Sequence, residues 1–245
     1  MINFDKKNIF ISGCSGNLGK ALIKFFLKFD SKIYTTSKDA DLVKRKNLRK
    51  NKNITFYHLD FNDKISMQKI KKDLKTISKI DILINNSGIN KIDEIYKIND
   101  EDWEQIININ LSGAFFLSRE ISKKMKKNMK GKILNISSIF GTVGKSKRVS
   151  YSSSKWGLIG LTKSSSLDLA KYNILVNAIS PGVIESELTN KILGKKGIHN
   201  IKKDIPLKRL ASIDEIVNVI SFLVSDKNSY MTGQNIVIDG GFTSA

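Results

Sequence analysis

Residues 8–29 read NIFISGCSGNLGKALIKFFLKF and join three patterns without a break. An apolar, strand-like run leads into a loop with glycines at Gly13, Gly16 and Gly19, and an amphipathic helical pattern follows. Glycines between a strand and a helix permit a tight turn, and they let backbone amides and the helix N-terminus approach a pyrophosphate. Taken alone, the loop is also explained as a tight turn with closely packed glycines.

The rest of the chain continues the alternation of strand and helix. Helical patterns occur, for instance, at 17–29, 100–127 and 152–172. The strand-like runs cover 8–12, 32–36, 54–58, 80–84, 132–137, 174–179 and 235–239. Strands joined by helical crossovers form a mostly parallel sheet with helices on both faces. Because such crossovers are right-handed, the pattern predicts an α/β architecture with a doubly wound, seven-stranded, Rossmann-like sheet.

Length and composition indicate one globular domain. The chain has 245 residues, of which 40% are hydrophobic and 27% are charged, and it carries no internal repeat. We therefore expect a single domain over 1–245. No apolar run approaches the ~18 residues of a membrane span, and the N-terminal segment lacks the pattern of a signal peptide. With Cys14 as the single cysteine, an internal disulfide is excluded, and we expect a cytoplasmic protein.

The net charge of +19 is the unusual feature of the composition. Its densest part is SKKMKKNMKGK, which holds six lysines between Lys123 and Lys132. Such a run is compatible with a surface for nucleic acid or anionic lipid, with attraction of an acidic partner, or with a solvated helix end. Aromatic residues are not interleaved with the lysines, so we favour the helix end and expect no nucleic-acid or membrane partner.

Two polar residues in YSSSK form a candidate acid/base pair. Tyr151 and Lys155 are four residues apart, which on a helix places both side chains on one face. A neighbouring ammonium favours the phenolate, so we expect a lowered pKa for Tyr151. Ser138 ends the apolar stretch KILNISS and would donate a hydrogen bond to a substrate oxygen at the carboxyl end of the sheet. In a lysine-rich chain, the YSSSK spacing also arises by chance.

Eight short motifs follow one another along the chain. They are SGCSGNLG (12–19), LDFND (59–63), NNSG (85–88), ININL (107–111), NISS (135–138), YSSSK (151–155), SPGVIES (180–186) and TGQNIVIDGG (232–241). In this order and at these spacings, they resemble the compact, single-domain branch of the short-chain dehydrogenase/reductase family. The resemblance covers nearly the whole chain. Any one motif has an accidental explanation, but the ordered set does not.

The resemblance implies a role for each matching residue. Tyr151 would be the acid/base, Lys155 would lower its pKa and hold the nicotinamide ribose, and Ser138 would orient the substrate carbonyl. Asn110 would support a water-linked proton relay to Lys155. The residues implied to bind the dinucleotide are Gly13, Ser15, Gly16, Asn17, Leu18, Gly19, Ser37, Lys38, Asp60, Phe61, Asn86, Ser87, Gly88, Tyr151, Lys155, Pro181, Gly182, Ile184 and Ser186.

The chain departs from the family pattern at a few positions that bear on the dinucleotide. Asn17 stands where this branch usually has its second glycine, and Ser12 and Ser87 replace a threonine and an alanine. NAD-specific sites usually place an acidic residue about 20 residues after the glycine loop, where it binds the ribose 2′-hydroxyl. Ser37 takes that place here, with Lys38 beside it. We therefore expect NADP, while NAD remains possible.

The substrate is less well defined by the sequence. The EDW triplet at 101–103, the loop at 181–188 and the segment at 205–216 are most similar to reductases of 3-oxoacyl thioesters on acyl carrier protein. That acidic partner would be attracted by Lys130 and Lys171, which we expect near the entrance of the cleft. We also expect a homotetramer or homodimer, formed as in the family through two long helices and the C-terminal strand.

Two alternatives stay open. Relatives act on sugars, sugar acids, steroids and small alcohols, and Arg148 would then contact an anionic small substrate or lie in a solvated loop. A noncatalytic protein that binds nucleotide or nucleic acid on the same fold is the third hypothesis. We expect no metal site, because His58 and His199 do not form a ligand cluster with the lone cysteine.

Overall fold

Seven strands form one sheet in this computed structural model, which describes residues 2–48 and 51–244. The strands are β1 (Asn8–Ile11), β2 (Lys32–Ser37), β3 (Ile54–His58), β4 (Ile82–Asn85), β5 (Gly131–Ile136), β6 (Ile174–Pro181) and β7 (Asn235–Ile238). They lie in the order β3-β2-β1-β4-β5-β6-β7, and every neighbouring pair is parallel. The predicted Rossmann-like sheet is confirmed, and each predicted strand-like run overlaps one of these strands.

Helices connect the strands throughout the described part of the chain. They are α1 (Asn17–Phe26), α2 (Ala40–Leu48), α3 (Lys64–Thr76), α4 (Asp100–Ile107), α5 (Gly113–Lys127), α6 (Val149–Ala170), α7 (Glu187–Asp204) and α8 (Ile213–Val224). The helical pattern at 100–127 is not one helix, because a π-helical turn, Asn108–Ser112, separates α4 from α5. Helix α7 is likewise interrupted, at Gly194.

The sheet is buried on both faces. Successive side chains of a strand point to opposite faces, and in β1 the side chains of Ile9 and Ile11 join one hydrophobic core while Phe10 joins the other. The first core includes side chains from α1 and α8, and the second includes side chains from α3 and α5. This double burial explains why the strands read as continuous apolar runs and not as alternating ones.

The strand order reverses between β1 and β4. The chain moves outward from β1 through β2 and β3, then returns to place β4 against the other side of β1. The loops after these two strands are tied together, since the backbone amides of Asn86 and Ser87 both donate to Ser12 Oγ at 3.0 Å. In open α/β sheets, ligands bind in the crevice at such a reversal, outside the carboxyl ends of the strands.

The lysine-rich run at 123–132 ends α5 and enters β5. Lys123 pairs with Glu120 at 2.9 Å, and Lys124 Nζ donates to the carbonyl of Ile77 at 2.6 Å. Lys126 lies over the ring of Tyr172, Lys130 pairs with Asp226, and Lys132 donates to the carbonyl of Asn228. Much of the positive charge of this run is therefore engaged within the chain.

Lys130 and Lys171 do not lie where we expected them. Lys130 immediately precedes β5 and Lys171 precedes β6, whereas Ser138 follows β5. A strand of six residues such as β5 spans ~20 Å. Because all the strands are parallel, both lysines lie at the edge of the sheet opposite the crevice, so the expected position near the cleft entrance of the same chain is wrong.

None of the helices in the described ranges is long and apolar enough to cross a membrane. Within the same ranges, the His, Cys, Asp and Glu side chains form no group of three or more that would hold a metal ion. Cys14 is buried with a free thiol.

Candidate active site

The glycine loop forms a cradle of backbone groups at the end of β1. Gly13 has a φ of +76°, and a Cβ at this residue would lie 2.9 Å from Ser87 Oγ. A Cβ on Gly19 would lie 2.2 Å from the carbonyl oxygen of Gly13, so glycine allows α1 to approach the loop closely. Gly16 is the N-cap of α1, and no described side chain caps this helix. The first amides of α1 are therefore available for phosphate oxygens.

A cavity of about 340 Å³ opens beside this cradle and reaches the ends of β2, β3 and β4. Many of its lining residues were predicted from the sequence: Gly13, Ser15, Gly16, Asn17, Leu18, Gly19, Ser37, Lys38, Asp60, Phe61, Asn86, Ser87 and Gly88. The others, which the sequence reasoning missed, are Thr36, Leu59, Ile89 and Ile109. Leu59 belongs to the LDFND motif and was recognisable from it, whereas Ile109 reaches the cavity from the unpredicted π turn.

At the end of β2, this cavity is lined by a hydroxyl and a cation. Ser37 Oγ shares a 3.1 Å hydrogen bond with Ser15 Oγ, and the side chain of Lys38 is exposed at the rim. Asp39, the next residue along the chain, is engaged elsewhere, because its carboxylate accepts the amide of Leu42 at 2.8 Å at the start of α2. This end therefore suits a phosphate better than an uncharged ribose hydroxyl.

Ser138, Tyr151 and Lys155 are brought together at the carboxyl end of β5. Ser138 is the second residue after this strand, and Tyr151 lies in the first turn of α6. Lys155 lies one turn further along α6, is only 4% exposed, and places its Nζ 5.6 Å from the centre of the Tyr151 ring. The same Nζ donates to the carbonyl of Ile136 at 2.8 Å. The sequence prediction that these three residues meet therefore agrees with the structure.

Burial controls the pKa values of this group. It raises the pKa of Tyr151, against a lowering by the hydrogen bond from Ser138 and by the charge of Arg148. It also lowers the pKa of Lys155 to about 8. The expected lowered pKa of Tyr151 is therefore wrong in direction for the protein alone. The physical reason is that the loss of hydration outweighs neighbouring charges, and that the ammonium is itself desolvated and directed at the Ile136 carbonyl.

The π turn between α4 and α5 directs Asn110 into the interior. Asn110 Oδ1 accepts the amide of Ile89 at 2.8 Å, and Nδ2 donates to the Ile89 carbonyl at 2.9 Å and to Ser154 Oγ at 3.0 Å. A Cβ on Gly88 would lie 3.4 Å from Lys155 Nζ and 3.5 Å from Asn110 Oδ1. Asn110 thus fastens the loop after β4 to α6 next to Lys155, while the proton relay stays a prediction.

A second cavity of about 670 Å³ adjoins the first, since Asn17 and Leu18 line both. Ser138 and Tyr151 line one side of it, and the segment after β6 supplies Gly182, Ile184 and Ser186. Ser186 also caps α7, because its Oγ accepts the amide of Thr189 at 3.0 Å. Pro181 and Lys155 line neither cavity; Pro181 is buried at the end of β6, and Lys155 is buried beside Tyr151.

The residues present fit an elongated dinucleotide that spans both cavities. The glycine cradle and the uncapped end of α1 offer donors for a pyrophosphate between the two, and glycines at 13 and 19 allow the loop and the helix to pack this closely. Ser37 and Lys38 lie at one end, and Tyr151 lies in the second cavity. A nicotinamide ring at that end would lie beside the phenol of Tyr151 and the hydroxyl of Ser138, and the Lys155 ammonium is buried next to Tyr151.

Comparisons with known proteins agree with this geometry. A family model described as enoyl-(acyl carrier protein) reductase matches residues 15–243. The 3-oxoacyl-[acyl-carrier-protein] reductase FabG of Rickettsia felis is 36% identical over 242 residues, which are 98% of this chain and 98% of that protein. A solved structure described as ElxO with NADP bound is 33% identical, with a TM-score of 0.89 over 98% of this chain and 100% of that one. Another, described as 4-hydroxyisoleucine dehydrogenase complexed with NADH, has the same identity, TM-score and coverage.

Burial of the Lys155 charge predicts a pH-dependent gain in stability for Lys155→Met. Because the folded-state pKa of about 8 lies below that of an unfolded lysine, the native state carries the full cost of the buried charge below pH 8. That cost falls as the pH rises toward ~10.4, where the unfolded state also loses its proton. We expect the free energy of unfolding of the variant to exceed that of wild type by on the order of 2 kcal/mol at pH 7. This difference should become progressively smaller up to pH 10.

Urea unfolding of the nucleotide-free protein between pH 7 and pH 10 measures this difference. Lys163→Met is the matched control, since Lys163 is an exposed lysine of the same helix. A Lys155→Met protein that is less stable than wild type at pH 7, or whose difference does not change with pH, contradicts the prediction.

Proposed function

The chain belongs to the short-chain dehydrogenase/reductase family, and from that membership we propose that it is an NADPH-dependent reductase of 3-oxoacyl thioesters. Members of this family are oxidoreductases that use a nicotinamide dinucleotide, which confirms the class predicted from the motifs. The observation that carries the proposal is the placement of Ser138 and Tyr151 on one wall of a cavity that adjoins the glycine cradle, with Lys155 buried beside them.

The family resemblance implies that different residues bind different parts of the dinucleotide. The amides of the glycine loop and of the start of α1 would hold the pyrophosphate. Asp60 would face the adenine, and the segment from Pro181 to Ser186 would pass beside the nicotinamide. When bound, the reduced nicotinamide supplies the hydride. The protein supplies the position of the carbonyl, the exclusion of water and the proton.

Proton delivery falls to the group at the end of β5. Ser138 would donate a hydrogen bond to the substrate carbonyl, which orients it and stabilises negative charge on its oxygen. Tyr151 would pass its phenolic proton to that oxygen as the alcohol forms. The raised pKa of Tyr151 keeps the phenol protonated and ready to donate at neutral pH. The Lys155 ammonium would stabilise the phenolate left behind, and Asn110 would connect Lys155 to a proton relay.

Relatives support the thioester as substrate. The Rickettsia felis protein is named for reduction of 3-oxoacyl groups on acyl carrier protein and aligns with this chain over nearly its whole length. The cavity of about 670 Å³ beside Tyr151 offers room for a short acyl chain. Its rim carries Lys145 and Lys147, which supply positive charge for an acidic carrier protein. Lys130 and Lys171 lie on the opposite edge of the sheet, so any role in docking would need a second copy of the chain.

The proposed preference for NADP rests on the end of β2. A 2′-phosphate would meet the Ser37 hydroxyl and the Lys38 ammonium, and the acid next to them is held by the cap of α2. An exposed cation at this place forms a hydrogen bond between opposite charges with a phosphate, and only a weaker bond with a neutral ribose hydroxyl.

We also propose a cytoplasmic homotetramer in which residues 1–245 act as one domain. Two parts of the surface carry exposed apolar side chains that association would cover. Helices α5 and α6 expose Phe115, Trp156 and Leu167, and Phe222 of α8 and Val237 of β7 are exposed elsewhere. Solvent-exposed apolar groups of this size favour an interface, and two distinct faces are what a tetramer with dihedral symmetry uses.

The proposed proton donor predicts the behaviour of Tyr151→Phe. We expect kcat for NADPH oxidation by acetoacetyl coenzyme A to fall at least about 100-fold, since a general acid contributes 10²–10⁴-fold. NADPH affinity, measured by fluorescence titration, should stay within a few-fold of wild type. Tyr230→Phe is the control, because Tyr230 is 96% exposed. If Tyr151→Phe keeps a near-wild-type kcat, the proposed mechanism is wrong. If the wild-type protein reduces sugar ketones but not the thioester, the proposed substrate is wrong.

The proposed 2′-phosphate site predicts a selective effect of Lys38→Ala. Loss of a charge-assisted hydrogen bond should lower kcat/KM for NADPH about 10-fold or more and leave kcat/KM for NADH unchanged. Lys64→Ala removes an equally exposed lysine at the start of α3 and should change neither value. A wild-type preference for NADH, or an equal effect of Lys38→Ala on both dinucleotides, contradicts the assignment.

The proposed assembly predicts the mass of the protein in solution. Size-exclusion chromatography with light scattering should give four times the chain mass of 27.5 kDa. Leu167→Glu should reduce that mass, because the change places a charge in the interface of α5 and α6. Ile65→Glu alters an exposed isoleucine of α3 and should leave the mass unchanged. A stable, active monomer of the wild-type protein would be incompatible with the proposal.

A further inference from the structure

Arg148 holds a buried guanidinium nitrogen that has no hydrogen-bond partner. Among the residues that the structure describes, the buried side-chain polar atoms without a partner are Asn85 Oδ1, Arg148 Nη1 and Ser152 Oγ. Only the one on Arg148 belongs to a charged group. A buried charged donor left unpaired is costly, and native proteins rarely keep one unless a ligand or another group completes it.

Arg148 lies directly beside the reacting groups. It is the N-cap residue of α6, three residues before Tyr151, so the two side chains emerge one helical turn apart. Both line the cavity of about 670 Å³, together with Ser138. The positive charge of Arg148 also acts to lower the pKa of Tyr151.

The charge around Arg148 is predominantly positive. Among the described residues that line this cavity, Lys145, Lys147 and Arg148 are cationic, and Asp204 is the only anionic one. Glu94, which approaches the same segment, pairs with Lys147 at 3.3 Å and with Lys97 at 2.7 Å. An anion that entered the cavity would therefore be attracted to this wall, where Arg148 is a partly buried cationic donor.

We propose that Arg148 binds the carboxylate of a second class of substrates, short oxo acids, whose ketone then lies between Ser138 and Tyr151. Guanidinium and carboxylate match in shape and charge, and burial strengthens their hydrogen bonds. A thioester carbonyl is neutral and would leave the partly buried charge of Arg148 uncompensated. A substrate with a free carboxylate close to a reducible ketone would compensate the charge of Arg148 and also present a ketone to Ser138 and Tyr151.

The reduction of an oxo acid uses the same hydride and proton transfers as the reduction of the thioester. The inference therefore rests on the proposed function. The carbonyl carbon receives a hydride from NADPH, and the carbonyl oxygen receives a proton from Tyr151. The oxo acid becomes a hydroxy acid and NADPH becomes NADP⁺. The carboxylate held by Arg148 keeps its charge and takes no part in the bond changes.

Steady-state kinetics with a matched pair of ketones test the proposal. Acetoacetate carries the carboxylate, and methyl acetoacetate replaces it with a neutral ester. For wild type, kcat/KM should be higher with acetoacetate. In Arg148→Gln, kcat/KM for acetoacetate should fall about 30-fold, mainly through KM, as expected for the loss of a charge-assisted hydrogen bond. The value for methyl acetoacetate should fall much less, and Arg148→Lys should restore part of the loss.

The controls separate this inference from the proposed function. Arg45→Gln removes an exposed arginine of α2 and should leave all values unchanged. Suppose that wild type reduces acetoacetyl coenzyme A, but Arg148→Gln lowers kcat/KM equally for acetoacetate and methyl acetoacetate. That result would overturn the carboxylate site and leave the proposed function intact. If wild type reduces none of the three ketones, calorimetric titration of acetoacetate into the NADP⁺-loaded protein still decides. Binding that Arg148→Gln abolishes supports the site, and absent or unchanged binding overturns it.

Discussion

Strands β1 and β4 lie side by side, and the chain leaves their carboxyl ends toward opposite faces of the sheet. Helix α1 packs on one face and α5 on the other, so the loops that lead to them separate and leave a crevice. The two loops would move independently without a tie. Ser12 Oγ supplies it by accepting two amides from the loop after β4, and Asn86 Nδ2 adds hydrogen bonds to the carbonyls of Ser12 and Gly13. The replacement of threonine by Ser12 keeps the hydroxyl that this tie requires.

The crevice positions one end of the site, and the residues at the end of β5 and the start of α6 position the other. At this second end, charged side chains are buried, which is unfavourable. Lys155 and Arg148 are both desolvated, and the pKa of each is lowered by burial. A fold selected for stability alone would place apolar groups there. The polar side chains are retained in a sheet whose two hydrophobic cores supply ample stability. The π turn is also a departure from the most regular structure at this site. It interrupts a helix and directs Asn110 toward Ile89 and Ser154.

Much of the fold could be predicted because its strands are short, doubly buried apolar runs separated by clear helical patterns. The glycine loop was recognisable for a related reason, since backbone geometry restricts its residues. The π turn was not, because ININL continues the helical pattern and nothing local marks the extra residue. The pKa of Tyr151 was predicted in the wrong direction because the spacing in YSSSK places Lys155 but does not reveal how deeply both are buried. The positions of Lys130 and Lys171 follow from the strand order, since both residues precede strands and the site lies where strands end.

The two halves of the site differ in what determines them. The dinucleotide half is built largely from backbone amides and from glycines such as Gly13 and Gly19, where almost any side chain would collide. Its sequence is therefore tightly constrained, and motif order identifies it. The substrate half is built from side chains of the segment before α6 and of α7, including Lys145, Arg148 and Ile201. Packing constrains these positions less, so they are free to change with the substrate. Resemblance to the family therefore establishes the reaction, while the choice of substrate depends on individual side chains such as Arg148.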